Sequence, residues 1–211
     1  MNQTITPPRK RGRPAREAGD FRETREALLD AGVAALTEKG FSGTGIDEIL
    51  KSIGVPKGSF YNFFGSKEVF GSELIARYDA YFVKKLDRFF LDESRPGLDR
   101  IQAFFVDAER GMKRFAFRRG CLIGNLGQEM GALPESFRSQ LTDVLLGWQR
   151  RTATVLEQAK AAGEIDASID CAEWSAYLWT GWEGAVLRAK LERSATPLRM
   201  FAKIFVDSIQ R

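Results

Sequence analysis

Apolar residues recur at spacings of three and four through most of the 211-residue chain, with polar residues between them. That is the period of helices that bury one face. The first stripe, Leu28, Leu29, Val33 and Leu36, predicts a helix from about Phe21 to Lys39 that stops at Gly40. The second, Ile46, Ile49, Leu50 and Ile53, predicts a short helix. Thr44 and Asp47 form its start signal, a hydroxyl that accepts from an orphan amide and an acidic side chain three residues on that returns to the cap. Gly54 then supplies a permissive turn, Val55 a buried plug, and Pro56 the opening of a third helix from Lys57 to about Phe63. Such a short helix needs a core beneath it. Further helices are predicted near 67–90, 98–116, 122–131, 134–162, 170–191 and 197–210, separated by Gly- and Pro-bearing breaks. No β-alternation and no repeat of solenoid length interrupts them. The fold class expected is all-α.

Two short helices joined by a tight turn, following a longer one, make a helix-turn-helix, and that motif names DNA as the partner. On the second of the pair, Phe60 and Phe64 share the inward face, leaving Lys57, Gly58, Ser59, Tyr61 and Asn62 for a groove and its phosphate walls. Lys57 and Lys67 bring charge to phosphates, Tyr61 a hydroxyl, and Gly58 close approach to the backbone. Asn62 and Ser59 are the candidates for base edges, since asparagine bonds bidentately to adenine whereas serine is promiscuous. Thr44 completes the DNA-facing set.

Residues 21 to 70 resemble the N-terminal domain of the TetR family of transcriptional regulators. The most specific part is Val55-Pro56-Lys57-Gly58-Ser59-Phe60-Tyr61 followed by Phe64, Ser66 and Lys67. The resemblance implies that Lys57 to Phe63 is the recognition helix, that Tyr61 and Lys67 contact phosphates, and that the protein acts as a homodimer on double-stranded operator DNA. Phe63 departs from the histidine common in the family.

Charge is unevenly placed. The chain carries 32 basic and 28 acidic residues, a net +4. Five of the basic ones, Arg9, Lys10, Arg11, Arg13 and Arg16, lie in residues 1–16 without an acidic residue, leaving 27 basic against 28 acidic, or −1, beyond them. The proline-rich segment Thr4 to Ala15 is expected to be disordered and is no signal peptide. Lys10-Arg11-Gly12-Arg13-Pro14 resembles an AT-hook core, narrow enough to enter a minor groove. The organisation expected is therefore a basic DNA-binding arm over 1–20, a helix-turn-helix domain over 21–67, and an effector-binding and dimerisation domain over 68–211.

In the last of these, the helix from Ser66 to about Phe90 leaves the DNA domain and is the expected mechanical link. The final two helices offer Trp174, Trp179, Trp182, Val186, Leu187, Met200, Phe201, Ile204 and Phe205, more apolar surface than one packed face requires. With Gly181, Gly184, Ala185 and Ala189 allowing close approach, they are assigned to a four-helix homodimer interface. No apolar run reaches membrane-spanning length, which points to a cytoplasmic protein.

The two cysteines, Cys121 and Cys171, form no metal or disulfide motif and are expected to be reduced. Cys121 follows Arg118 and Arg119 and precedes a helix start, two features that favour thiolate. Asn125, Gln128 and Glu129 follow among apolar neighbours and need partners or a ligand. The segments Phe117–Met130, Trp148–Thr152 and Gly181–Arg193 are similar to a TetR branch whose members answer acrylate or other reactive electrophiles. That resemblance implies a repressor released by a small unsaturated carbonyl compound or carboxylate. The effector site expected comprises Cys121 as sensing thiol, Lys190 as charge partner, Asn125 and Trp148 as lining, and Trp182 as wall. An enzyme is disfavoured: there is no histidine, Gly65-Ser66-Lys67 lacks the upstream glycine of a phosphate loop, and nothing makes Glu129 and Glu183 converge. No cofactor or metal is expected. The other rivals are a ligand-blind architectural DNA-binding protein and a TetR-type regulator of an unrelated inducer.

Overall fold

A computed structural model describes residues 18–210, with side chains from Phe21 onward; Arg9, Lys10, Arg11 and Arg13 lie outside the described residues. Among these residues every regular element is a helix: α1 Ala18–Lys39, α2 Ile46–Ser52, α3 Lys57–Phe64, α4 Lys67–Phe90, α5 Gly97–Arg114, α6 Leu122–Gln128, α7 Ser136–Ala161, α8 Cys171–Glu192 and α9 Thr196–Ile209. The all-α architecture matches the apolar period of the sequence.

α1 to α3 and the start of α4 share one small core. Leu28, Leu36, Leu50 and Phe60 are almost fully buried there. Phe70 of α4 closes it, with ring centroids 5.2 Å from Phe60 and 4.6 Å from Phe64. The α2–α3 turn forms as the sequence predicts, with Gly54 at φ +69° in the left-handed region that glycine tolerates without strain. The expected cap of α2 does not form. Gly45 occupies the cap position with no side-chain bond, and the buried Thr44 hydroxyl instead donates to the Gly40 carbonyl at 2.5 Å. Turning Thr44 inward satisfies a carbonyl that the end of α1 leaves unpaired, which the local sequence pattern does not reveal. Ser66 does cap α4, accepting from the Val69 amide at 3.1 Å.

α4, about 36 Å long at 1.5 Å per residue, runs from this core into a second one. There Phe82, Phe104, Trp148, Trp179 and Trp182 interlock, with Phe82 4.2 Å from Trp148 and Trp148 5.0 Å from Trp179. The indoles keep their polar edges satisfied: Trp179 Nε1 donates to Thr152 Oγ1 at 2.9 Å and Trp148 Nε1 to Asp79 Oδ1 at 2.8 Å.

α8 and α9 correct part of the interface assignment. Trp179, Trp182, Val186 and Phe205 belong to the protomer's own core, and Gly181 makes room for the Phe201 ring. The outward stripe is different. Tyr177, Thr180, Gly184, Leu187 and Leu191, spaced three and four apart, are exposed on α8, beside exposed Met200 and Ile204 on α9.

Candidate functional site

Two surfaces carry chemistry, and one short segment joins them. On the first, α3 buries Phe60 and Phe64 and thereby presents Lys57, Gly58, Tyr61 and Asn62 to the outside, with Ser59 half-buried. Tyr61 is 54 % exposed. A Cβ at Gly58 would meet nothing within 4 Å, so internal packing does not require the glycine. Lys57 pairs loosely with Asp47 across the turn at 2.8 Å, both side chains being largely in solvent. Lys67 is less free. Its ammonium donates to the Phe41 carbonyl at 3.0 Å and lies 4.4 Å from the Phe41 ring centre. With Thr44 buried and engaged, the exposed face is narrower than the set named from sequence.

The second surface is a cavity of about 310 Å³ bounded by α1, α4, α5, α8 and the stretch before α6. Cys121 and Trp182 line it as expected. Asn125, Trp148 and Lys190 do not. Asn125 turns away, its Nδ2 donating to the Leu36 and Thr37 carbonyls at 2.9 and 3.0 Å. Trp148 is spent on the aromatic core and Asp79. Lys190 is held below the ordinary lysine range by partial burial, against the pull of Glu38 and Glu129. Helical periodicity places each of these residues near the core but does not say which wall of the core it faces.

The sequence also misses two members, Glu183 and Tyr78, which meet Cys121 there. Glu183 on α8, Tyr78 on α4 and Cys121 face one another inside the cavity. The Glu183 carboxyl fits against Gly124, where any Cβ would overlap it. Burial raises this carboxyl from 4.5 to about 7, so near neutral pH it is partly protonated and able to donate a hydrogen bond. The same burial, reinforced by Glu183, pushes the Cys121 thiol well above its usual range and raises the Tyr78 phenol likewise. The expectation of a thiolate is therefore overturned. Arg118 and Arg119 turn to Glu38, at 3.6 and 3.7 Å, and Arg119, which also borders the cavity, lies 4.1 Å over the Phe115 ring, so both charges are already partnered. Ala116 and Phe117, both in the left-handed region at φ 51° and 56°, end the preceding helix at Arg114 rather than at 116 and reverse the chain toward Cys121.

The joining segment runs from Arg118 to Glu129. The Gly120 amide donates to the Thr37 carbonyl at 2.9 Å, and Asn125 holds the two carbonyls named above, so the end of α1 is bonded to the chain on both sides of Cys121. At the far end of α6, the Glu129 carboxylate accepts from the Phe41 and Ser42 amides at 3.1 and 2.7 Å. Gly40, at φ +76°, leaves the space that this carboxylate fills. Diverting Glu129 to that turn accompanies the stop of α6 at Gln128, short of the 131 expected. Glu129 and Glu183 thus sit at opposite tasks and form no carboxylate pair.

A helix-turn-helix bonded through one short helix to a ligand-sized cavity is the layout of a regulator, and the chain belongs to the TetR family of bacterial regulatory proteins. Residues 28–73 match that family's N-terminal domain, and residues 97–205 match the tetracyclin repressor-like C-terminal domain. The chain is 51 % identical to the transcriptional regulator AcuR of Cereibacter sphaeroides over 97 % of this chain and 95 % of that one. It is 32 % identical to the HTH-type transcriptional repressor NemR of Escherichia coli, covering 83 % and 88 %. Among solved structures, a regulatory protein TetR from Rhodobacter sphaeroides superposes with a TM-score of 0.85 at 53 % identity, covering 86 % of this chain and 96 % of that one. No helix of the described residues is long and apolar enough to cross a membrane.

Proposed function

We propose that the protein is a dimeric, ligand-responsive transcriptional repressor of the cytoplasm that binds a near-palindromic operator and is released by acrylate or a related unsaturated carbonyl compound. The observation that carries this reading is that α1, a helix of the DNA-binding core, supplies Val33, Ala34 and Thr37 to the wall of the effector cavity. A ligand there touches the DNA-binding unit directly. It also bears on Cys121 at the head of α6, whose other end holds the α1–α2 turn through Glu129. This adds a second route of transmission to α4, which lines the same cavity with Tyr78 and Phe82.

Acrylate suits the site because apolar walls accept its vinyl group while Tyr78 and the protonated Glu183 donate to its carboxylate. The Cys121 thiol is held neutral, which slows addition of its sulfur to the β-carbon, and binding alone suffices for release. Release requires only that the ligand prefer the DNA-incompetent form by about 1–3 kcal/mol, roughly 5–150-fold.

The outward stripe of α8 and α9 supports a two-fold dimer, which sets two α3 helices about 34–36 Å apart, or somewhat more, on successive major grooves. The basic segment bearing Arg9, Lys10, Arg11 and Arg13 serves as a minor-groove arm. The test is a fluorescence-anisotropy titration onto the DNA upstream of the protein's own gene, with and without acrylate, using wild type and Cys121→Ala. Release of both is expected. Release of wild type alone would assign the response to thiol chemistry, and release of neither would remove acrylate as the inducer.

A further inference from the structure

The effector cavity does not end at its own walls. Tyr81, Lys85, Gly111 and Phe115 border it and also border a second groove of about 410 Å³ between α4 and α5. Five cations, Lys84, Lys85, Arg88, Arg110 and Arg114, line that groove against a single acidic residue, Asp107. Asp107 is already taken, at 2.8 Å by Lys85 and 3.1 Å by Arg88. Among the described residues Lys84, Arg110 and Arg114 have no carboxylate partner, and all three are exposed. Such a concentration is not background: beyond residue 16 the chain carries 27 basic against 28 acidic residues, a net −1.

Resting on the effector reading above, we propose that the cavity and this groove together bind an acyl thioester of a phosphate-bearing carrier, the acyl group entering the apolar cavity and the carrier's phosphates lying on Lys84, Arg110 and Arg114. The two arginines offer the planar forks that match phosphate oxygens. In the cavity the thioester carbonyl accepts from Tyr78 or Glu183. DNA is not the occupant, because Lys84 lies about 26 Å along α4 from Lys67, beyond the reach of a groove occupied by α3. An acid as small as acrylate leaves the groove unused.

The experiment is isothermal titration of the full chain with propionyl-coenzyme A, propionyl-pantetheine, propionate and coenzyme A. A saturated acyl group avoids alkylation of Cys121. Wild type and the triple variant Lys84→Gln, Arg110→Gln, Arg114→Gln are compared; its sites are exposed and make no ion pair, so the fold is retained, which an unchanged Tm checks. The expected result is that propionyl-coenzyme A binds at least ~10-fold more tightly than propionyl-pantetheine, that the triple variant abolishes this difference, and that coenzyme A alone binds more weakly than its thioester. Equal binding of the two thioesters, an advantage that survives the triple variant, or coenzyme A matching its thioester would each overturn the proposal. Operator binding and its release by acrylate are read on the same two proteins. Release by acrylate without thioester preference overturns the groove assignment alone, whereas absence of operator binding strikes the regulator reading.

Discussion

The outward face of α3 and the cavity beside Cys121 use similar side chains in opposite ways. On α3 the polar groups stand outside a hydrophobic floor, Lys57, Tyr61 and Asn62 exposed above the buried Phe60 and Phe64. In the cavity Cys121, Tyr78 and Glu183 are gathered from three separate parts of the chain, and burial changes what they do: the carboxyl is partly protonated near neutral pH and the thiol is held neutral. A surface site is a list of residues, whereas a buried one is a set of mutual perturbations.

The sharpest way to break this contrast lies at positions 60 and 62. Phe60→Ala should cost about 3–5 kcal/mol of stability through lost burial and the cavity it leaves, measured by urea denaturation. Asn62→Ala should leave stability unchanged and weaken operator binding by about 1–3 kcal/mol. Equal effects of the two on stability would mean that α3 does not separate an inner from an outer face.

The next largest effect tests the segment that joins the regions. Glu129→Ala removes the acceptor for the Phe41 and Ser42 amides. It should leave effector binding in place, seen by calorimetry, while the coupling to operator release shrinks by about 1–2 kcal/mol. Undiminished release would leave α4 as the sole route.

A third prediction concerns the proton on Glu183. Its folded value near 7 exceeds the ordinary 4.5, so the folded state binds this proton more tightly than the unfolded chain does. The stabilisation is therefore complete below about pH 4.5 and is lost as pH rises through about 7. An anionic effector needs the protonated form, so acrylate affinity should fall between about pH 6 and 8 in wild type and stay flat in Glu183→Gln. The smallest effect belongs to Lys57→Ala, which should lower the slope of log operator affinity against log salt by about one without altering sequence preference.

These expectations also mark what was legible before any coordinates. The helices, the turn at Gly54 and the outward face of α3 follow from period and local chemistry, because short-range spacing determines them. The cavity was half legible. Cys121 and Trp182 are legible, while Glu183 is weighed only as half of a carboxylate pair with Glu129, although an ionisable group among Trp182, Ala185 and Val186 is itself a signal. The thiolate expectation failed because burial, reinforced by Glu183 from another helix, raises the Cys121 thiol, while Arg118 and Arg119 pair with Glu38. Thr44 failed for a local reason, its hydroxyl answering a carbonyl four residues back instead of an amide ahead.

That α1 forms part of the cavity wall bears on how such proteins can be recombined. Exchanging the first three helices for those of a relative, to redirect the response to a new promoter, would also import a foreign set of residues at positions 33, 34 and 37. A chimera made at the boundary before α4 therefore inherits a hybrid receptor, and its inducer range should drift with the DNA domain it was given. Grafting α3 alone would leave the receptor native.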